Sequence, residues 1–228
     1  MEKMPLPPKR IKMTKISIKP IKQESPNDCS ITCMRMILDY YGLKISREEI
    51  FDFIIKATPD GGSFLSEIGR FAKSKGFAVD MHAYNLYLTE PEDSKLDKGE
   101  FLKKLVKELE NSKRDKYYDL MLESTIKAIR NGINYVIAKP TVEIIKKYLN
   151  KMIPVSVRLN YTALVGEQGD PFDSHDVILS GIKNNDFYLI DPYDASEKLF
   201  KQDDLMFAIS QSKIISASAY LLAVKPNY

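Results

Sequence analysis

Only two cysteines occur in this 228-residue chain, and one of them, Cys29, stands where a nucleophile would be placed. It lies in the stretch from Gln23 to Gly42, just after Asn27 and Asp28, two good helix N-cap residues. Apolar residues then recur at helical spacing, and Gly42 is a natural helix stop. The spacing therefore predicts a helix that begins at Cys29. A thiol on the first turn of a helix feels the positive end of the dipole, which favours thiolate over thiol. Cys33, one turn further on, is expected to be buried packing and to react far more slowly than Cys29.

A thiolate that attacks a carbonyl needs a base, a group to orient that base, and donors for the oxyanion. The chain offers two histidines. His175 follows a Gly/Asp/Pro-rich stretch from Gly166 to Asp173 and opens an apolar run typical of a buried strand. A second strand, ending at Asp191, follows the polar turn Lys183 to Asp186, so His175 and Asp191 fall at the open end of a hairpin. A loop from Gly181 to Asn185 puts the two directly opposite on one face, whereas a two-residue Asn184–Asn185 turn puts them on opposite faces. Both registers are open. His82 alternates with Phe77, Val79 and Met81, and reads as the polar face of a half-buried strand, either solvent-facing or locally satisfied. Gln23, six residues before Cys29, could donate its amide N–H to an oxyanion, or could simply be a surface residue before a loop.

The elements that would hold these residues run helix-rich first and strand-rich last. Residues 1–14 read as a mobile tail, with a strand starting near Lys15. Ser46 to Glu49 is a capping-box pattern that opens a second helix through Ile55, and Ser63 is expected to cap a third that ends at Gly76. A strand follows over 77–84. Between about 86 and 140 lies a helical insertion, with an amphipathic helix over 97–112, another over 115–130 and a short strand over 133–138. It either packs passively or walls the substrate cleft. A helix over 141–149 comes next, then strands over 153–160, in the hairpin and over 218–224. Helices followed by an antiparallel sheet make this an α+β chain, and residues 15–228 read as one domain.

Composition narrows the function. A formal charge of +3 with 29% charged residues gives a mixed surface, and no basic run is interleaved with aromatics, which argues against a nucleic-acid partner. No stretch approaches eighteen consecutive apolar residues, so no membrane insertion is expected. No Gly-rich phosphate loop and no metal-ligand spacing occur, and Asp170, Asp173 and Asp176 read as solvated loop carboxylates. No cofactor is expected. The N-terminus lacks the apolar core of a secretory signal, and two cysteines four apart in one helix suit a disulfide poorly, which together suggest the cytoplasm.

Taken in order, Gln23-x5-Cys29 to Gly42, Gly62–Ser63 to Phe77, Ile144 to Val155, and His175 to Gly181 with Asp191–Pro192 resemble the papain-like cysteine peptidases. The resemblance is to the stand-alone relatives of the bacteriocin-processing, double-glycine leader peptidases, peptidase family thirty-nine. It implies a papain-like fold and hydrolysis of a peptide or protein substrate. Cys29 would be the nucleophile, His175 the general base and acid, Asp191 the orienter and Gln23 the oxyanion donor. Two positions depart from the pattern. Ser30 stands where the family usually has Gly, and Asp176 where it usually has an apolar residue. An acyl or peptidyl transferase with the same triad, or an inactive peptide-binding relative, remains an alternative. The sequence is silent on oligomeric state.

Overall fold

The computed structural model describes residues 13–58, 61–84, 88–168, 174–212 and 218–227. The first half contains β1 (Met13–Lys15), α1 (Cys29–Tyr40), α2 (Arg47–Phe53), β2 (Lys56–Thr58), β3 (Gly61–Ser63), α3 (Leu65–Ser74) and β4 (Ala78–Ala83). A 3₁₀ turn (Pro91–Lys95) precedes α4 (Lys98–Glu110), α5 (Lys116–Arg130) and β5 (Asn134–Ile137). Then come α6 (Val142–Leu149), β6 (Val155–Asn160), α7 (Tyr161–Val165), β7 (Ser174–Lys183), β8 (Asp186–Asp191), β9 (Ser196–Phe200), α8 (Gln202–Gln211) and β10 (Leu221–Lys225).

Seven strands follow one another in the sheet as β5-β4-β10-β6-β7-β8-β9, and β1 adds to β7. Only the β4–β5 pairing is parallel; every other described pairing is antiparallel. The α+β architecture is thus the one expected. β6 pairs with the first half of β7, and β1 takes over beyond it, with Lys15 opposite Gly181. The first strand consequently starts at Met13, so Met13 and Thr14 belong to the sheet and not to a tail. The rest of the expected tail, 1–12, lies outside the described residues.

α1 packs its apolar side against the sheet and α3. Ile31, Cys33, Met34, Met36, Ile37 and Leu38 are all buried in the main core. Each such side chain contributes about 1.5–3 kcal/mol of transfer free energy, enough together to fix the helix that carries Cys29. α2 starts as expected, with Ser46 Oγ accepting from Glu49 N at 3.1 Å. The third helix does not. Its N-cap is Phe64, because the Ser63 hydroxyl is used on Ser30 instead.

The segment expected to be an insertion, 86–140, carries a core of its own and also joins the sheet. α4 and α5 build a second core of Phe64, Phe101, Leu105, Tyr118, Met121 and their neighbours, while β5 extends the main sheet. Asp97 and Asp115 cap α4 and α5 through their side chains, on Glu100 N and Tyr118 N. His82, on β4, is buried at 6% exposure rather than half-buried, because the sheet is covered on both faces there. Its Nε2 is 2.8 Å from the Tyr148 hydroxyl, which donates to Asp80. Burial pushes its pKa down to about 4, outweighing the attraction of Asp80. His82 is thus paired through Nε2 alone, its buried Nδ1 having no partner among the described residues, and it is remote from Cys29 and no base for it.

Candidate active site

Cys29 is the first residue of α1, as its sequence context predicts. The Asp28 backbone carbonyl accepts from Thr32 N at 2.8 Å and starts the helix. Its carboxylate does not cap the helix, however. It accepts from Arg47 Nε at 2.5 Å and Nη2 at 3.0 Å, which fastens the head of α1 to the head of α2. The upstream loop is pinned as well, since Gln23 N donates to Pro192 O at 2.7 Å, next to Asp191.

His175 and Asp191 reach one another through a feature that neither sequence register contained. The turn is the two-residue Asn184–Asn185 form, with Lys183 opposite Asp186 and Asn184 at a φ of 59°. Asn tolerates that left-handed conformation. Unmodified, this register puts His175 and Asp191 on opposite faces. A bulge between Leu179 and Gly181 inserts one residue, so Ile178 faces Ile190. Continuing that register sets Asp191 against Val177, on the same face as His175 and diagonal to it. Gly181 is required here, because a Cβ would run into the Thr14 carbonyl and Lys15 Cα of β1.

The result is a hydrogen bond of 2.7 Å between His175 Nε2 and Asp191 Oδ1. The same oxygen accepts from Tyr193 N at 2.9 Å. Tyr161, at the start of α7, stands edge-on to the imidazole at 5.3 Å. Burial, reinforced by the Asp191 charge, pushes this phenol up to about 12. Sequence reasoning missed Tyr161, since a lone Tyr at a strand-to-helix junction carries no pattern.

On its other side His175 faces Cys29, whose sulfur acts on the imidazole. With Nε2 given to Asp191, Nδ1 is the ring nitrogen left for sulfur. Burial works against the charged imidazole, but the bonds and charges of Asp191 and Cys29 outweigh it and raise His175 to about 10. An imidazolium beside sulfur is the partner a thiolate requires. Burial has the opposite effect on Cys33, pushing its thiol well up, assisted by Asp176. It is fully buried and donates to Asp176 O at 3.3 Å.

Gln23 is near the site but not poised as expected. Its Nε2 donates to Ser25 O at 3.0 Å and Pro26 O at 3.2 Å, and its buried Oε1 has no partner among the described residues. Other oxyanion donors are at hand. Cys29, Ser30 and Ile31 occupy the first turn of α1, where amide N–H groups have no carbonyl four residues back inside the helix.

Both positions that depart from the pattern are internally satisfied. Ser30 Oγ is bonded to Ser63 Oγ. Asp176 is wholly buried and forked by Arg158, so it is not a solvated loop carboxylate. Asp170 and Asp173 lie outside the described residues. Among the described residues no group of three potential metal ligands is present, and no helix is long and apolar enough to cross a membrane.

A model of the peptidase C39-like family matches residues 15–212. The chain belongs to that family. Solved C39 structures share its fold at low identity. A double-glycine-motif protease from an AMS/PCAT transporter, solved with a leader peptide, is 13% identical with a TM-score of 0.51, covering 94% of this chain and 95% of its own. A protein described as a C39-like peptidase from Bacillus anthracis is 15% identical with a TM-score of 0.51, covering 95% of this chain and all of its own. No curated protein matches the chain. The shared fold is that of the papain-like peptidases, as the sequence motifs implied.

Proposed function

We propose that this C39-like chain is a cysteine peptidase in which Cys29, His175 and Asp191 form the triad. The observation that carries the reading is His175 held between Asp191 and Cys29, on two different elements and with a raised pKa. The Cys29 thiolate adds to the carbonyl carbon, and first-turn amides of α1 stabilise the oxyanion. When the intermediate collapses, the C–N bond breaks and His175 gives its proton to the leaving amine. A thioester remains. The now neutral imidazole takes a proton from water, hydroxide adds to the thioester, and the acid leaves as the thiolate is restored.

A cavity of about 500 Å³ lined by Gln23, Pro26, Asn27, Tyr161, Ser174, His175 and Tyr193 opens beside the imidazole, and it offers room for the peptide. We read the substrate as a peptide or protein segment, in keeping with the leader peptide bound by a structural neighbour. Both cysteines are free, which suits a reducing compartment such as the cytoplasm. Residues 15–228 act as one catalytic unit in this reading. A non-catalytic peptide-binding role is favoured only by the Gln23 amide, which is turned onto its own loop.

Profiling by mass spectrometry against a peptide library that includes Gly-Gly leader sequences tests both. Cleavage that disappears on blocking Cys29 supports the peptidase, and binding without cleavage supports the alternative. An added amine captured in the product would show acyl transfer. Gln23→Ala should lower turnover by only about tenfold, less than the 10²–10³ typical of a poised oxyanion donor. A larger loss would mean that the side chain swings into the site when substrate binds.

A further inference from the structure

His175 and Asp176 are adjacent on β7, so their side chains leave opposite faces of the strand, yet both reach Cys29. Asp176 Oδ2 lies 3.9 Å from Cys29 Sγ. Directly across the sheet, Arg158 is the register partner of Asp176. Its Nε donates to Oδ1 at 2.9 Å and its Nη2 to Oδ2 at 2.5 Å, and Nη2 also donates to Ser63 O at 3.0 Å. Asp176 is fully buried and Arg158 is 8% exposed. This fork is not needed to orient His175, and the mechanism above does not use it.

Resting on the reading of Cys29 as nucleophile, we propose that Asp176, held by Arg158, is a positioning residue that restrains Cys29 in the resting site. Its carboxylate competes with His175 for the thiol proton and opposes a negative charge on sulfur. Arg158 sets the strength of that opposition, because its cation neutralises most of the carboxylate. When Asp176 accepts the S–H hydrogen bond, the proton stays on Sγ and His175 is neutral; when sulfur turns to the imidazole, the proton moves to Nδ1 and the thiolate–imidazolium pair forms. No other chemistry is involved.

Among the described residues the charged and titratable groups around Cys29 are few. Beside His175 with Asp191, and Asp176 with Arg158, they are Cys33 one turn along α1 and Asp28, which is paired with Arg47. Tyr117 at the head of α5 acts on Arg158. Removing the Asp176 charge therefore leaves the Arg158 cation as the largest change in the field at sulfur.

The test is the rate at which iodoacetamide alkylates Cys29, followed by peptide mass from pH 5 to 9. Asp176→Asn should move the alkylation profile to lower pH, giving roughly tenfold or more faster labelling at pH 6. The double variant Arg158→Met with Asp176→Leu, which removes both charges, should fall between it and the unaltered chain. Cys33 serves as an internal control, since it is labelled only if the core opens. With Cys33 protected, an Asp176→Asn rate at or below that of the unaltered chain overturns the proposal. If Asp176→Asn opens the core, the double variant decides on the same criterion, because an apolar pair of similar volume is tolerated where one buried charge alone is not. His175→Ala reports separately on the peptidase reading. If it leaves Cys29 alkylation unchanged, the imidazole is not the partner of sulfur, whatever Asp176 does.

Discussion

Cys29→Ala should abolish peptide hydrolysis, and His175→Ala should come close to it. In a serine peptidase, loss of the nucleophile or of the base alone costs about 2 × 10⁶ in turnover, nearly as much as loss of the whole triad, because the groups act as a unit. The same logic holds here, since the thioester forms only on Cys29 and the amine leaves only with the proton from His175. Neither substitution should unfold the protein. Cys29 is part-exposed at the end of a helix whose burial resides in Ile31, Met34, Met36 and Leu38. The measurement is turnover on any cleaved library peptide, with thermal unfolding run in parallel. Alkylation makes an independent check, as Cys29 should react while Cys33 stays protected. Full activity in Cys29→Ala would place the chemistry elsewhere.

The position of Cys29 at a helix start was legible because its signals are local. Asn27 and Asp28, the apolar period of α1 and Gly42 lie within one short segment, and the helix forms where they say. His82 was rightly set aside, though for a partly wrong reason. Alternation marked it as one face of a half-buried strand, and α6 supplies the Tyr148 that buries it and pairs with its Nε2. The triad's second half depended on something non-local. Whether His175 shares a face with Asp191 is decided by one bulge near Gly181, and that bulge answers to β1, some 165 residues earlier in the chain by the Lys15–Gly181 pairing. No window around the hairpin contains that information.

The same difficulty hid Arg158. In the run Val155 to Asn160 polar residues alternate with apolar ones, which reads as a strand with one wet face. The structure buries all six, so the polar face had to find partners inside, and Arg158 found Asp176 and Ser63. Asp28 shows a related limit. Its type suits an N-cap, but a cation from α2 competes for its carboxylate and wins with two charge-assisted bonds. The expected insertion hid one pairing for a simpler reason. Its helices were read correctly, but β5 pairs in parallel with β4, and a parallel partner is not announced by any turn.

Asp191→Ala should lower turnover by about 10²-fold and, more tellingly, shift the alkaline limb of the pH profile. Replacing the triad carboxylate costs about 10⁴ in a serine peptidase, where the base must also create the nucleophile. An imidazolium already paired with sulfur leaves less for the carboxylate to do. Its electrostatic part is nonetheless large. His175 is raised to about 10, with burial pulling down and the Asp191 hydrogen bond as the foremost of the groups pulling up. Activity that needs the imidazolium is therefore expected to persist through neutral pH and to fall as pH rises through about 10. Without Asp191 the burial cost is met only by Cys29, and the limb should move down by more than one pH unit. Stability carries the same sign. A folded pKa above the unfolded value of about 6.5 gives a contribution that is complete below pH 6.5 and lost as pH rises through about 10. The unaltered protein should thus lose thermal stability between those values, and Asp191→Ala should show a flatter curve there. An unchanged alkaline limb in Asp191→Ala would mean that its contact with His175 does not govern the imidazole's charge.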